Sequence, residues 1–177
     1  YHMNDVNVFY QGEDLWDIAN EIYGQEKMQL TSNYYIMSLP GHTEEEFILS
    51  VPYTPVTKDN MTALLVARND GENYGKLICY QLPKGKTVYG PMQIESQIDQ
   101  DTDISKEFSL WSQRGSTYLR GNIFVIPVED SLLYVEPIYL QAANESSLPE
   151  VKRVIAAYGN TIAYEATLGD ALKELFG

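Results

Sequence analysis

The stretch from Gly115 to Gln141 most constrains what this chain can become. It holds two apolar runs, Ile123 to Val128 and Leu132 to Leu140, separated by Glu129, Asp130 and Ser131. Neither run alternates with polar residues, which predicts strands covered on both faces, and the short polar turn predicts an antiparallel pair at the centre of a sheet. Pro127 and Pro137 modify that expectation. A proline has no N–H for a ladder, so each is expected at a bulge or opposite an unpaired side. Such a hairpin specifies a fold and leaves activity open.

The same pattern analysis covers the rest of the chain. Leu15, Ile18, Ala19, Ile22 and Tyr23 fall at helical spacing before Gly24, predicting a helix near 13–23. Hairpins are predicted near 33–53 and 62–82, with Glu44 to Glu46 solvated at the tip of the first and Asn69 to Asn73 forming a turn with positive φ in the second. A helical segment near 91–114 reads as two short helices or one broken helix, with Asp103 placed to open the second. The central hairpin near 118–140 is followed by another near 151–166 across Gly159-Asn160, then by a helix near 168–176 opened by Thr167 and Asp170. Successive strands joined by short turns, not helical crossovers, predict an α+β fold of antiparallel β-hairpins with three or four short helices packed on the sheet. With 177 residues, 44% of them apolar, one soluble domain spanning 1–177 is the expectation.

The net charge of −13 argues against nucleic acid and anionic lipid surfaces, which need Lys and Arg clusters. Cys79 is the single cysteine; within the strand-like run KLICYQL it is expected to be a buried, inert thiol. No apolar run in the sequence approaches the length of a membrane span.

Several motifs invite a functional assignment and fail on their spacing. Lys84-Gly85-Lys86-Thr87 has the tail of a phosphate-binding loop, but the earlier glycine position is Tyr80 and VYGP cannot open a helix. Asp99, Asp101 and Asp103 alternate like an EF-hand front, yet the glycine and glutamate positions hold Ile104 and Leu110. His2 and His42 have no partner at zinc-ligand spacing, and no nucleophile elbow is present. No catalytic residue, metal or cofactor is predicted. GEDLWDIANEIYG resembles the opening of a LysM sugar-binding module, but the chain then enters a tyrosine-rich strand where that module needs a second helix, and Leu15 and Trp16 serve equally well as helix core.

Longer phrases recur together in one family. YHMNDVNVFYQGEDLW, FILSVPYTP, DGENYGK within ARNDGENYGKLICYQLPKGKTVYGPMQIESQIDQD, and QRGSTYLRGN within SLWSQRGSTYLRGNIFVIPVEDSLLYVEPIYLQA resemble uncharacterised protein family 0182 of bacterial membrane proteins. The resemblance covers nearly the whole chain. It implies a segment of the large extracytoplasmic region of a cell-membrane protein whose amino-terminal part carries several transmembrane helices, which would account for a start at Tyr1. It implies no catalytic or ligand-binding residue.

The expectation is therefore a non-enzymatic domain whose partners are the remainder of its own membrane-protein chain, neighbouring subunits or an envelope component. The surface expected to matter is a group of polar turns holding Asp70, Glu72, Asn73, Tyr74, Arg114 and Arg120, since polar residues on short rigid turns are poorly explained by packing. The plainer account has Arg114 and Arg120 pair with those acidic turns and fix the fold. A binding module for a small molecule, a cell-wall sugar or a cation would instead need a tyrosine-lined pocket with convergent carboxylates, and a hydrolase would need a titratable pair in a cleft.

Overall fold

The computed structural model describes residues 5–12, 15–83, 85–113, 115–128, 131–142 and 147–177. In chain order the elements are α1 (Val6–Gln11), β1 (Trp16–Ile18), β2 (Asn20–Tyr23), β3 (Glu26–Gln29), β4 (Asn33–Ser38), β5 (Glu45–Pro55), β6 (Ala63–Arg68), a 3₁₀ turn (Gly71–Asn73), β7 (Leu77–Gln81), α2 (Pro91–Gln100), α3 (Thr102–Gln113), β8 (Ser116–Arg120), β9 (Phe124–Val128), β10 (Ser131–Ala142), β11 (Glu150–Tyr158), β12 (Thr161–Glu165) and α4 (Leu168–Phe176). The fold is α+β with antiparallel pairing throughout the registered strands. The chain divides into two compact units, residues 1–19 with 29–90 and residues 20–28 with 91–177. Among the described residues, no helix is long and apolar enough to cross a membrane.

The first unit is built on a five-stranded sheet in the order β1-β5-β6-β7, with β4 also paired to β5. Strand β5 is long enough to hold two partners on one edge, β4 along Glu45 to Ser50 and β1 along Tyr53 to Pro55. Its inward positions Ile48, Ser50, Pro52 and Thr54 are buried and meet Leu64 and Val66 of β6.

The second unit centres on β10, in the order β12-β11-β10-β8 with β9 also paired to β10. Leu132 to Glu136 are all buried, so both faces are covered there, as expected of an unbroken apolar strand. Pro137 lies where β9, which pairs Ser131 to Val135, has ended and β8, which pairs Ile138 to Ala142, has not begun. The missing N–H thus falls at a gap on one edge. One expected hairpin near 118–140 is three strands, because Ser116–Arg120 forms its own strand against the far half of β10. Helix α4 packs Ala171, Leu172 and Leu175 on the face of Leu133 and Val135, while Phe108 of α3 stacks on Tyr118 on the other face at 4.3 Å.

Local signals account for the ends of these helices. The Asp170 N–H donates to Thr167 Oγ1 at 3.2 Å to cap α4. Asp101, not Asp103, opens α3: its Oδ1 accepts from the N–H groups of Asp103 (2.9 Å) and Ile104 (3.1 Å). The helix predicted near 13–23 does not form among its described residues, which make β1 and β2; Glu13 and Asp14 lie outside the described residues. Long-range pairing outweighs the local period. Trp16 and Ile18 are drawn into register with Pro55 and Tyr53, and Gly24, at φ 67°, exchanges backbone hydrogen bonds with Arg120 at 2.7 and 3.1 Å.

Candidate functional site

The turn expected to carry function joins β6 to β7. Gly71 and Gly75 take positive φ there, 47° and 81°. Asp70 Oδ2 accepts from the Phe47 N–H at 2.6 Å, and the Asn69 N–H donates to Phe47 O at 3.0 Å, so the turn is tied to the start of β5. Asn73 donates to Glu46 at 3.3 Å through Nδ2 and accepts from Lys76 Nζ at 2.9 Å. Glu46, expected to be solvated with Glu44 and Glu45, is instead buried and paired with the Arg68 guanidinium, which holds its carboxyl below the usual carboxylate range. Inward parity explains this, since Glu46 sits two residues before buried Ile48. Asp70 and Asn73 are thereby occupied in fixing the turn. Glu72 and Tyr74 are exposed on it.

The two arginines of the expected site have other fates. Arg114 lies outside the described residues. Arg120 is not on a surface loop: it ends β8, is 4% exposed, and its partners are Glu95, Asp99 and Glu136. Its Nε and Nη2 donate to Glu136 at 2.7 and 3.1 Å, its Nη1 donates to Asp99 at 2.8 Å, and its Nη2 also meets the Glu95 carboxyl. Glu95 and Asp99 lie four residues apart on one face of α2, and Glu136 shares its β10 face with Ile138, the partner of Arg120. Glu95 Oε1 also accepts from the Ile22 N–H at 3.2 Å. Beside this group the fully buried Glu21 accepts from the Ile123 N–H at 2.8 Å and from Asn122 Nδ2 at 2.9 Å.

Two buried carboxylates, Glu95 and Glu136, share one buried guanidinium with the exposed Asp99, which leaves surplus negative charge away from water. Burial, with the Glu136 charge next, pushes the Glu95 carboxyl up to about 9, against the pull of Arg120. Glu95 therefore holds a proton at neutral pH, and Arg120 serves Glu136 and Asp99. Burial pushes Glu136 up as well, opposed by the two hydrogen bonds from Arg120. These perturbed carboxyls sit inside the second unit, closed to a substrate. Their work is to join α2, β2, β8 and β10.

The remaining feature is the outward face of the first unit's sheet. Residues directly opposite on antiparallel strands share a face, and here the rows are Ile36 with Phe47, then Tyr34, Leu49, Ala67 and Leu77, then Val51, Leu65 and Cys79. Every one of these is apolar or cysteine. Ile36 is 73%, Leu77 65% and Tyr34 62% exposed, and Tyr34 stacks on Phe47 at 5.2 Å. Cys79 is exposed, contrary to expectation, because it shares this parity while Ile78 and Tyr80 turn inward. The Asp70 turn adjoins the face through Phe47 and supplies a polar border. Among the described residues, no group of three His, Cys, Asp or Glu could hold a metal ion.

Residues 1–111 match the model of the uncharacterised protein family UPF0182. The whole chain is 57% identical to a UPF0182 protein of Alkaliphilus metalliredigens and 51% identical to one of Pelotomaculum thermopropionicum, covering 19% of each. It is 50% identical to another of Methanospirillum hungatei, covering 20% of it. No solved structure matches the chain. The chain thus spans about a fifth of the length of the curated relatives it matches, and it belongs to the uncharacterised protein family UPF0182.

Proposed function

We propose that this chain is a non-catalytic docking domain of a larger membrane protein, placed on the extracytoplasmic side, and that the outward face of β4 to β7 lies against the remainder of that protein. One observation carries the reading: an apolar sheet face, with Tyr34, Ile36 and Leu77 largely exposed and Asp70, Asn73 and Lys76 at its border. Contiguous apolar surface with a polar rim is the ordinary anatomy of an interface. Roughly four fifths of the relatives' length lies outside the chain, which makes that remainder the occupant at the highest effective concentration. The family resemblance supports the extracytoplasmic placement.

Lys at positions 36 and 77 (Ile36→Lys with Leu77→Lys) tests this. Both positions are exposed, so the variant is expected to stay folded, with a stability change within about 0.5 kcal/mol per site. Co-purification with the rest of a parent protein, expressed as a separate chain, is expected to fall by about tenfold or more; unchanged co-purification contradicts the docking reading. In intact cells a membrane-impermeant thiol reagent should label Glu72→Cys in a Cys79→Ser parent. Labelling only after lysis contradicts the placement.

A further inference from the structure

A pocket in the first unit has no part in the docking reading. It is a cavity of about 210 Å³ whose lining includes Lys58, Lys86, Thr57, Thr87 and Asn60. Two turns of like construction contribute to it. Pro55 to Lys58 closes with the Lys58 N–H donating to Pro55 O at 3.1 Å, and Pro83 to Lys86 closes with the Lys86 N–H donating to Pro83 O at 3.3 Å. Each begins on a proline, whose carbonyl accepts the closing bond, and each ends on a lysine of the pocket. The Met61 N–H to Val88 O (2.8 Å) and Leu82 N–H to Thr62 O (2.9 Å) bonds hold the two segments together.

Among the described residues, no Asp or Glu lines the cavity and neither lysine forms an ion pair. In a chain of net charge −13, two lysines among the described lining residues stand against the overall sign. We propose that the pocket binds a small phosphate-type oxyanion. Two ammonium groups with hydroxyl and amide donors suit a compact, multiply charged oxyanion. A polyanion would also meet the acidic surface beyond the pocket, whereas a small ion responds mainly to charges within about 8 Å at physiological ionic strength. The inference is independent of the docking face.

Titration of the isotope-labelled chain with sodium phosphate, at constant ionic strength against sodium chloride, tests it by NMR. Saturable shifts are expected at the amides of Thr57, Lys58, Lys86 and Thr87. Lys58→Gln and Lys86→Gln are each expected to weaken binding by about tenfold, and Lys152→Gln, in the second unit, to leave it unchanged. Co-sedimentation with phosphatidate-containing vesicles, compared with phosphatidylcholine alone, separates the sources of the phosphate. Capture by phosphatidate assigns the pocket to a lipid headgroup, and a response to free phosphate alone assigns it to a soluble ion. Chloride reproducing the phosphate shifts, shifts centred elsewhere, or no response to either form of phosphate overturns the proposal.

Discussion

Arg120→Ala is expected to destabilise the second unit by about 3–5 kcal/mol, the scale of breaking a buried ion pair from one side. The loss comes from what is left behind. Glu136 would stay buried with no cation, and Asp99 would lose its bond from Nη1. Lysine is not expected to rescue, because one ammonium cannot reproduce the paired Nε and Nη2 bonds to Glu136. Adding Glu136→Gln to Arg120→Ala should return part of the stability, since the second change removes the stranded charge. Urea unfolding of the four chains of that cycle measures this. A loss below about 1 kcal/mol for Arg120→Ala would show that the cluster is not what joins α2, β8 and β10.

The second large effect is a pH dependence. Glu95 is raised from 4.5 to about 9 by burial first and the Glu136 charge second. Below about pH 4.5 both folded and unfolded chains hold the proton, and its contribution to stability is complete. Between 4.5 and about 9 the unfolded chain releases a proton that the folded chain keeps. Stability then falls by about 1.4 kcal/mol per pH unit, and the contribution is lost once the pH passes the folded value. Glu46 acts in the opposite sense. Its lowered value gives the first unit stability that is present above the unfolded value and lost as pH falls through the folded one. Glu95→Gln mimics the protonated carboxyl and isolates the first term. The variant should be as stable as the parent near pH 5, more stable at pH 8, and should differ from it by one proton in the slope. Parallel stability curves for variant and parent would mean that Glu95 is ionised in the fold.

The α+β architecture was legible because its signals are local or periodic. The apolar run of β10, the positive-φ glycine turns and the Thr167 cap each act within a few residues, and a pattern of residue types records them. The helix expected near 13–23 failed for the converse reason. Leu15, Ile18 and Ile22 do fall at helical spacing, but their backbones are claimed by Val56, Tyr53 and the Glu95 carboxyl, far along the chain. Glu21, Glu95 and Glu136 were passed over because glutamate is a surface residue by default; nothing in their neighbours shows that one guanidinium and backbone N–H groups will meet them. Cys79 illustrates a finer limit. In KLICYQL either parity faces the core plausibly, and a shift of one residue exchanges the faces. The turn at Asp70 and Asn73 was singled out from its polar composition, which also describes residues that hold a turn in place.

Cys79 offers the most direct measurement of the docking claim, because it is the chain's single cysteine and stands on the outward face. Its alkylation is followed by peptide mass spectrometry in the 177-residue chain and in a full-length parent protein carrying it. The account predicts rapid modification in the isolated chain and strong protection in the parent, relieved by Ile36→Lys with Leu77→Lys. Equal rates in both would mean that the face stays open in the assembled protein and that the remainder of the chain docks elsewhere.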